Sequence, residues 1–291
     1  MTTRWSGEAE RGLLMSLNSI NTNTGAMVAL QSLNMTNANL ETAQNEVSTG
    51  MKVAGAKDDG AIWDIAQQQR AQVSALGAVT DSLNRASSVL DVAVSTGQTI
   101  SDLLNQMKAK ALEASDTSMS TTDRAALNSD VQSLVTQIKN AVANASFDGA
   151  NMISSPGTTL YALASPSGSN KLTLAAQSLA LGGANLTVTA GASFNTATTA
   201  SNLLTAINSS ITNVNLAVSK LGTEANQVTT NLTFVSNLSD SLTSGIGNLV
   251  DADVAAESAT LQALQTKQQL GIQALSIANS SSQNLLSLFR S

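Results

Sequence analysis

The chain has only two prolines, Pro156 and Pro166, and both lie near its middle. Proline removes a backbone donor and clashes with the preceding helical turn, so the proline-free flanks can form long uninterrupted helices. The apolar residues of those flanks keep the helical period. Leu76, Leu83, Leu90 and Leu104 recur at multiples of seven, with Gly97 in the missing slot and Val73 and Val94 at the alternate position. Leu204, Ile207, Ile211, Val214, Val218, Leu221, Ala225, Val228, Leu232 and Val235 follow strict 3–4 spacing. With Ser239 as a polar slip, the series continues to Leu242 and Ile246. About six heptads of this kind are a coiled-coil pattern, about 60 Å long at ~1.5 Å rise per residue. Leu127, Val131, Leu134, Ile138 and Val142 mark a shorter helix after a turn-like stretch at 118–122, and Asp123 in its first turn suits the helix dipole.

Composition agrees with narrow helix seams. Aromatics are 2% of residues and charged groups 12%, whereas a compact globule of this size draws on many large aromatics. The net charge of −6 argues against nucleic acid as partner, because phosphate binding needs a basic footprint. Without cysteine there are no disulfides or thiolate sites, and without histidine the commonest general base and metal ligand are missing. Asp58 with Asp59, and Asp251 with Asp253, are the carboxylate pairs worth weighing. They read as a solvated or salt-bridged joint and as helix-start charges, not as a metal or acid–base site. No phosphate-binding glycine loop occurs. The expectation is a non-enzyme with no cofactor and no metal. No apolar run reaches membrane-spanning length, and no Sec-type signal is visible.

The 3–4 rhythm breaks around Gly245 and Gly247 and resumes as Val250, Val254, Leu261, Leu264, Leu275, Ala278, Leu285 and Phe289. A matching break is Ser48-Thr49-Gly50, followed by Gly55 and Gly60. Extra residues in the spacing plus glycines read as joints between helical segments. The expected organisation is an extension over 1–14, a terminal helix over 15–48 and a joint over 49–57. An inner helical part over 58–147 follows, then a small, surface-exposed β-rich insert over 148–196. A second inner part covers 197–244, a joint 245–250 and a terminal helix 251–291. Within the insert, Lys171–Leu174 and the run 186–190 are β-prone. The fold class is mainly α: a long antiparallel helical hairpin or coiled coil with a small β-rich insert, its two termini paired at one end. The terminal stripes are interrupted by polar residues, so either helix alone is marginal in water. They pair within the chain, or they order when neighbours bury them; periodicity leaves both open.

The ends carry a resemblance. Leu17-Asn18-Ser19-Ile20-Asn21-Thr22-Asn23, then Ser48-Thr49-Gly50 and Ala56-Lys57-Asp58-Asp59-Gly60-Ala61, resemble the amino-terminal region of bacterial flagellins. Phe147-Asp148-Gly149 stands where that family has a Phe-Asn-Gly turn. Asp251-Ala252-Asp253, Glu257, Gln268-Gln269, Ala278-Asn279, Gln283 and Leu285-Leu286-Ser287-Leu288-Phe289-Arg290 are similar to the flagellin carboxy-terminus. The short insert and the run through Trp63 look most like compact alphaproteobacterial flagellins.

The resemblance implies a structural subunit that polymerises into the helical flagellar filament, outside the cell, for swimming. It implies export through the flagellar type III apparatus without a Sec signal, and a start at Met15, with residues 1–14 an upstream start read in error or a disordered extension. Assembly would run through the terminal helices, with Ile20, Met27, Leu30, Leu33, Leu40 and Val47 on one and Val250, Val254, Leu261, Leu264, Leu275, Leu285, Leu288 and Phe289 on the other. Partners implied are copies of the chain, other flagellin paralogues, an export chaperone on the C-terminal helix, and the filament cap and hook-junction proteins; neither nucleic acid nor membrane insertion is expected. Thr158, Thr159, Ser165, Ser167, Ser169, Thr187, Thr189 and Ser193 are candidate O-glycosylation positions, as some flagellins carry, with a plain solvated loop as the other reading. The family's receptor-recognised arginine and leucine are matched by Gln106 and Lys110, implying poor receptor activation. Two alternatives are a hook–filament junction protein and a secreted coiled-coil translocator; the second needs a contiguous apolar membrane-facing helix.

Overall fold

The computed structural model describes residues 22–288, with side chains to residue 280. Among these are five helices and one two-stranded sheet: α1 Thr24–Thr49, α2 Gly60–Ala114, α3 Thr121–Asn144, β1 Leu160–Leu163, β2 Lys171–Leu174, α4 Ala197–Val250 and α5 Val254–Leu288. The readings at Ile20, Phe289 and over 1–14 lie outside the described residues, as do the side chains of Leu285 and Leu288. The chain forms two compact units, one of Arg70–Thr243 and one of the residues up to Gln69 together with those from Ser244 on.

Helix starts follow from local chemistry. Ser120 caps α3: its Oγ accepts from the Asp123 amide at 3.1 Å and donates to the Asp123 carboxylate at 2.7 Å, which satisfies a backbone donor that the helix itself leaves open. Asp59 does the same for α2, accepting from the Ala61 and Ile62 amides at 2.9 and 3.0 Å. At the other end of α2, Arg124 reaches over from α3. It is 6% exposed, and its Nε and Nη2 donate to the carbonyls of Ala114 and Asp116 at 3.0 and 2.7 Å. A cation on helix-terminal carbonyls is favourable in both hydrogen bonding and dipole terms.

In the Arg70–Thr243 unit the heptad series lands on the core. Leu76, Leu83, Leu90, Gly97 and Leu104 are buried, as are Ile207, Val214, Leu221, Val228 and Val235; the alternate positions Leu204, Ile211, Val218, Ala225, Leu232 and Leu242 are half-buried against them. α2 and α4 run antiparallel here, since Gly97 lies on Val218 while Ser101 donates to the side chain of Asn215 at 2.8 Å. Leu127, Val131, Leu134, Ile138 and Val142 all enter the same core from α3.

The insert differs from the sequence expectation in two ways. Lys171–Leu174 is a strand, paired antiparallel with Leu160–Leu163, but the run 186–190 is not. Its backbone donors go elsewhere: the Thr187 and Val188 amides bond to Ser210 Oγ on α4 at 3.0 and 3.3 Å, while Leu186 and Val188 are buried. A helix hydroxyl thus takes the place of a partner strand. The segment is also less of a surface feature than expected, because Met152, Ile153, Leu174, Leu179, Leu186, Val188 and Phe194 belong to the same core as the helices.

Candidate functional site

The unit built from the chain's two ends holds the residues expected to function. α1 and α5 pack antiparallel through a seam of small and medium side chains. On α1 the inward positions are Ala26, Ala29, Leu33, Thr36, Leu40, Ala43 and Val47; on α5 they are Leu261, Leu264, Gln268, Gly271, Leu275 and Ala278. These alternate by three and four, the signature of a paired seam. Gly271 permits close approach: a Cβ there would stand 3.2 Å from Leu33 Cδ1. Two polar contacts set the register. Asn23 Nδ2 donates to the Ala278 carbonyl and Gln268 Nε2 to Asn37 Oδ1, each at 2.8 Å. Asn23 also caps α1 by accepting from the Ala26 amide at 2.9 Å.

The joint stitches two chain breaks together. α1 ends at Gly50, whose φ of +69° is the left-handed conformation glycine adopts without strain. Lys52 and Val53 then donate to the Val250 carbonyl at 2.7 and 3.2 Å, and the Ala252 amide donates to the Gly50 carbonyl at 3.0 Å. Val53, Ala66 and Val250 form a small core under Ile62, Trp63, Ile246 and Leu249, so Trp63 packs on the joint. Asp58 accepts from the Ala54 and Gly55 amides at 3.0 and 2.9 Å, and Asp253 caps α5 through Ala255 and Ala256 at 3.0 and 3.2 Å. These carboxylates serve backbone amides; the salt-bridged alternative for Asp58 and Asp59 is replaced by turn and cap bonds.

The second break falls later than the glycine rhythm suggests. α4 continues through Gly245 and Gly247 to Val250, and the chain leaves the helix only over residues 251–253. A Cβ at Gly247 would lie 2.8 Å from Asp251 Oδ2, the tip of an exposed side chain that can turn aside. The first break runs from Gly50 to α2 at Gly60.

One electrostatic feature stands out. Glu46 on α1 is half-buried on the side facing α5, and its carboxyl is held above the usual range by burial first, then by Glu257 of α5, with Lys52 opposing and Asp58 adding. Glu257 is itself half-buried at the start of α5.

The expected assembly residues divide into two sets. Leu33, Leu40, Val47, Leu261, Leu264 and Leu275 face the partner helix, and Val250 is in the joint core. Met27, Leu30 and Val254 are exposed. Val28, Met35, Leu270, Ile272 and Ile277 are also exposed, up to 69% for Ile277; the sequence reading passed over them because they lie off the seam. Met27, Leu30, Gln31, Asn34, Met35 and Ala38 line one shallow hollow of about 470 Å³ on α1.

Among the candidate modification positions, Thr158, Ser167, Ser169, Thr189 and Ser193 are exposed, and Thr159 and Ser165 are half-buried. The Thr187 hydroxyl is engaged, donating to the Ala206 carbonyl at 3.0 Å and meeting Ser210 Oγ at 2.9 Å.

Both ends match known families. The model of the bacterial flagellin N-terminal helical region matches residues 20–158, and that of the C-terminal helical region matches 204–289. The chain belongs to the bacterial flagellin family. It is similar to flagellin FljM and to flagellin FljK of Caulobacter vibrioides, each 51% identical over 276 residues, covering 95% of this chain and 100% of the relative. A Brucella melitensis flagellin is 37% identical over 94% of this chain and 99% of its own length. The compact alphaproteobacterial resemblance is therefore correct. The chain is a structural protein, not an enzyme: a subunit that polymerises with its own kind into the extracellular flagellar filament. No described helix is long and apolar enough to cross a membrane.

Proposed function

We propose that the paired terminal helices are the polymerising element, and that the two sets of apolar residues divide the work. The seam residues Leu33, Leu40, Val47, Leu261, Leu264 and Leu275 hold α1 against α5. The outward residues Met27, Leu30, Val254, Leu270, Ile272 and Ile277 contact neighbouring subunits, and Ile20, Leu285, Leu288 and Phe289 are assigned to assembly with them on the sequence reading alone. The observation that carries this reading is the exposure of large apolar side chains along both helices of a seam that is already filled. Buried apolar side chains contribute about 1.5–3 kcal/mol each. Partial burial of half a dozen of them supplies on the order of 10 kcal/mol per subunit, before association costs.

The same exposed face supports the finer partner assignments. Before export the apolar flanks of α5 need cover, which suits a chaperone; the cap, the hook-junction proteins and flagellin paralogues would meet the same helices at the filament's ends or along it. Export by the flagellar route completes this reading. For O-glycosylation, Thr158, Ser167, Ser169, Thr189 and Ser193 are the accessible hydroxyls, Thr159 and Ser165 less so, and Thr187 is the least suited.

The test is a double substitution, Leu30→Gln with Ile277→Gln, which leaves the seam intact. The variant should keep wild-type helicity but add to filament seeds at least about tenfold less well, as loss of two apolar contacts requires. Wild-type seeding by this variant would refute the assignment.

A further inference from the structure

The hollow on α1 holds two methionines whose chemistry the assembly reading does not use. Met27 is 63% exposed and Met35 59%, eight residues apart along α1 in the same hollow, with Leu30 between them and Ala38 beyond Met35. The other described methionines are sheltered: Met107 and Met152 are fully buried, and Met51 and Met119 half-buried. Thioether oxidation follows exposure, and the sulfoxide converts a pliable apolar side chain into a polar one.

We propose that Met27 and Met35 form an oxidation-sensitive modification site that switches off assembly of the free subunit. The inference rests on the reading that this face is buried between subunits. The oxidant is a hydroperoxide. The sulfur lone pair attacks one peroxide oxygen, an S–O bond forms and the O–O bond breaks. The sulfur is oxidised by two electrons, and the departing oxygen takes the proton of the new S–OH group and leaves as water from hydrogen peroxide, or as an alcohol from an organic hydroperoxide. In the free subunit both sulfurs are open to this reaction. A sulfoxide oxygen carried into an apolar contact would lose its water, and the hollow offers only the side-chain amides of Gln31 and Asn34 as replacement donors. Once the face is covered in a filament, the thioethers lose access to peroxide, so oxidation acts before assembly and not after it. Reduction by a methionine sulfoxide reductase would restore the apolar face.

The experiment treats full-length monomer with hydrogen peroxide, maps the added oxygen by peptide mass spectrometry, and measures sedimentation after seeding. Met27 and Met35 should oxidise ahead of Met107 and Met152, and the critical concentration should rise on the order of tenfold. Reductase treatment should reverse the rise. In a Met27→Leu, Met35→Leu variant the critical concentration, whatever its starting value, should be the same before and after peroxide. The proposal is overturned if Met27 and Met35 stay reduced while Met107 or Met152 oxidise. It is equally overturned if both carry oxygen and seeding is unchanged, or if peroxide disables the double variant as much as the wild type. The Leu30→Gln, Ile277→Gln variant separates the two ideas. If it seeds normally, the assembly face itself is misassigned; if it fails while oxidised wild type succeeds, only the oxidation switch is lost.

Discussion

Gly97 sits in a leucine register of α2, yet a leucine there would have no room. Even a methyl group would come within 2.5 Å of Val218 Cγ2 on α4 and 3.5 Å of Leu179 Cδ1. Gly97→Ala gains helix propensity of about 1 kcal/mol, but overpacking a filled contact costs about 1–3 kcal/mol. The substitution should therefore be neutral to destabilising by about 2 kcal/mol, read by urea denaturation. A stabilised Gly97→Ala chain would show that the interhelix gap is wider than this geometry. Heptad counting located Gly97 as a gap in the pattern but could not say why it is empty, because spacing along one helix carries no information about its distance from the next. Arg124 was missed for a related reason. A charged residue in a polar-rich helix reads as solvated, and its burial depends on where α2 ends and which carbonyls are left open there.

Periodicity recovered the long seams of α2, α3 and α4 almost residue by residue, because burial on one helix face is what a 3–4 rhythm encodes. It was weaker at element ends. Gly245 and Gly247 suggested a joint, but helix α4 absorbs both, and the break comes where the Val250 carbonyl is taken by Lys52 and Val53. For the terminal pair, the sequence offered the seam residues and, of the outward face, only Met27, Leu30 and Val254, since exposed apolar residues do not repeat with the seam. Glu46 adds a consequence at this scale. The groups facing it are Glu257 across the pair, Lys52 and Asp58 of the joint. Its folded pKa is raised, so the native chain binds that proton more tightly than the unfolded chain does. The resulting stabilisation is fully present below the ordinary carboxylate range and is lost as pH rises through the raised value. Hydrogen-exchange protection, corrected for intrinsic rates, should thus fall in the last turns of α1 as pH rises from acid to neutral. Glu46→Gln should weaken that dependence and raise protection at neutral pH by a factor of a few. Protection in the wild type that climbs with pH over the same range would contradict the assignment.

The two units carry separate cores, and this allows assembly to be separated from folding. Every residue of the large core lies between Leu76 and Leu242, whereas α1 has α5 as its packing partner, with Val250 in the small joint core. Removal of residues 250–291 takes away that partner and leaves Leu33, Leu40 and Ala43 without cover. An unpaired helix of this composition is marginal in water. The truncated chain should therefore keep a cooperative melting transition from the Arg70–Thr243 unit while α1 loses helicity, and it should neither polymerise nor extend seeds. Circular dichroism melting and sedimentation after seeding, done on one preparation, distinguish the outcomes. A chain that melts cooperatively but stays in the supernatant assigns polymerisation to the terminal pair. Filaments from the truncated chain would move the assembly contacts onto the inner helices, where Leu216 and Phe234 are the exposed apolar candidates on α4.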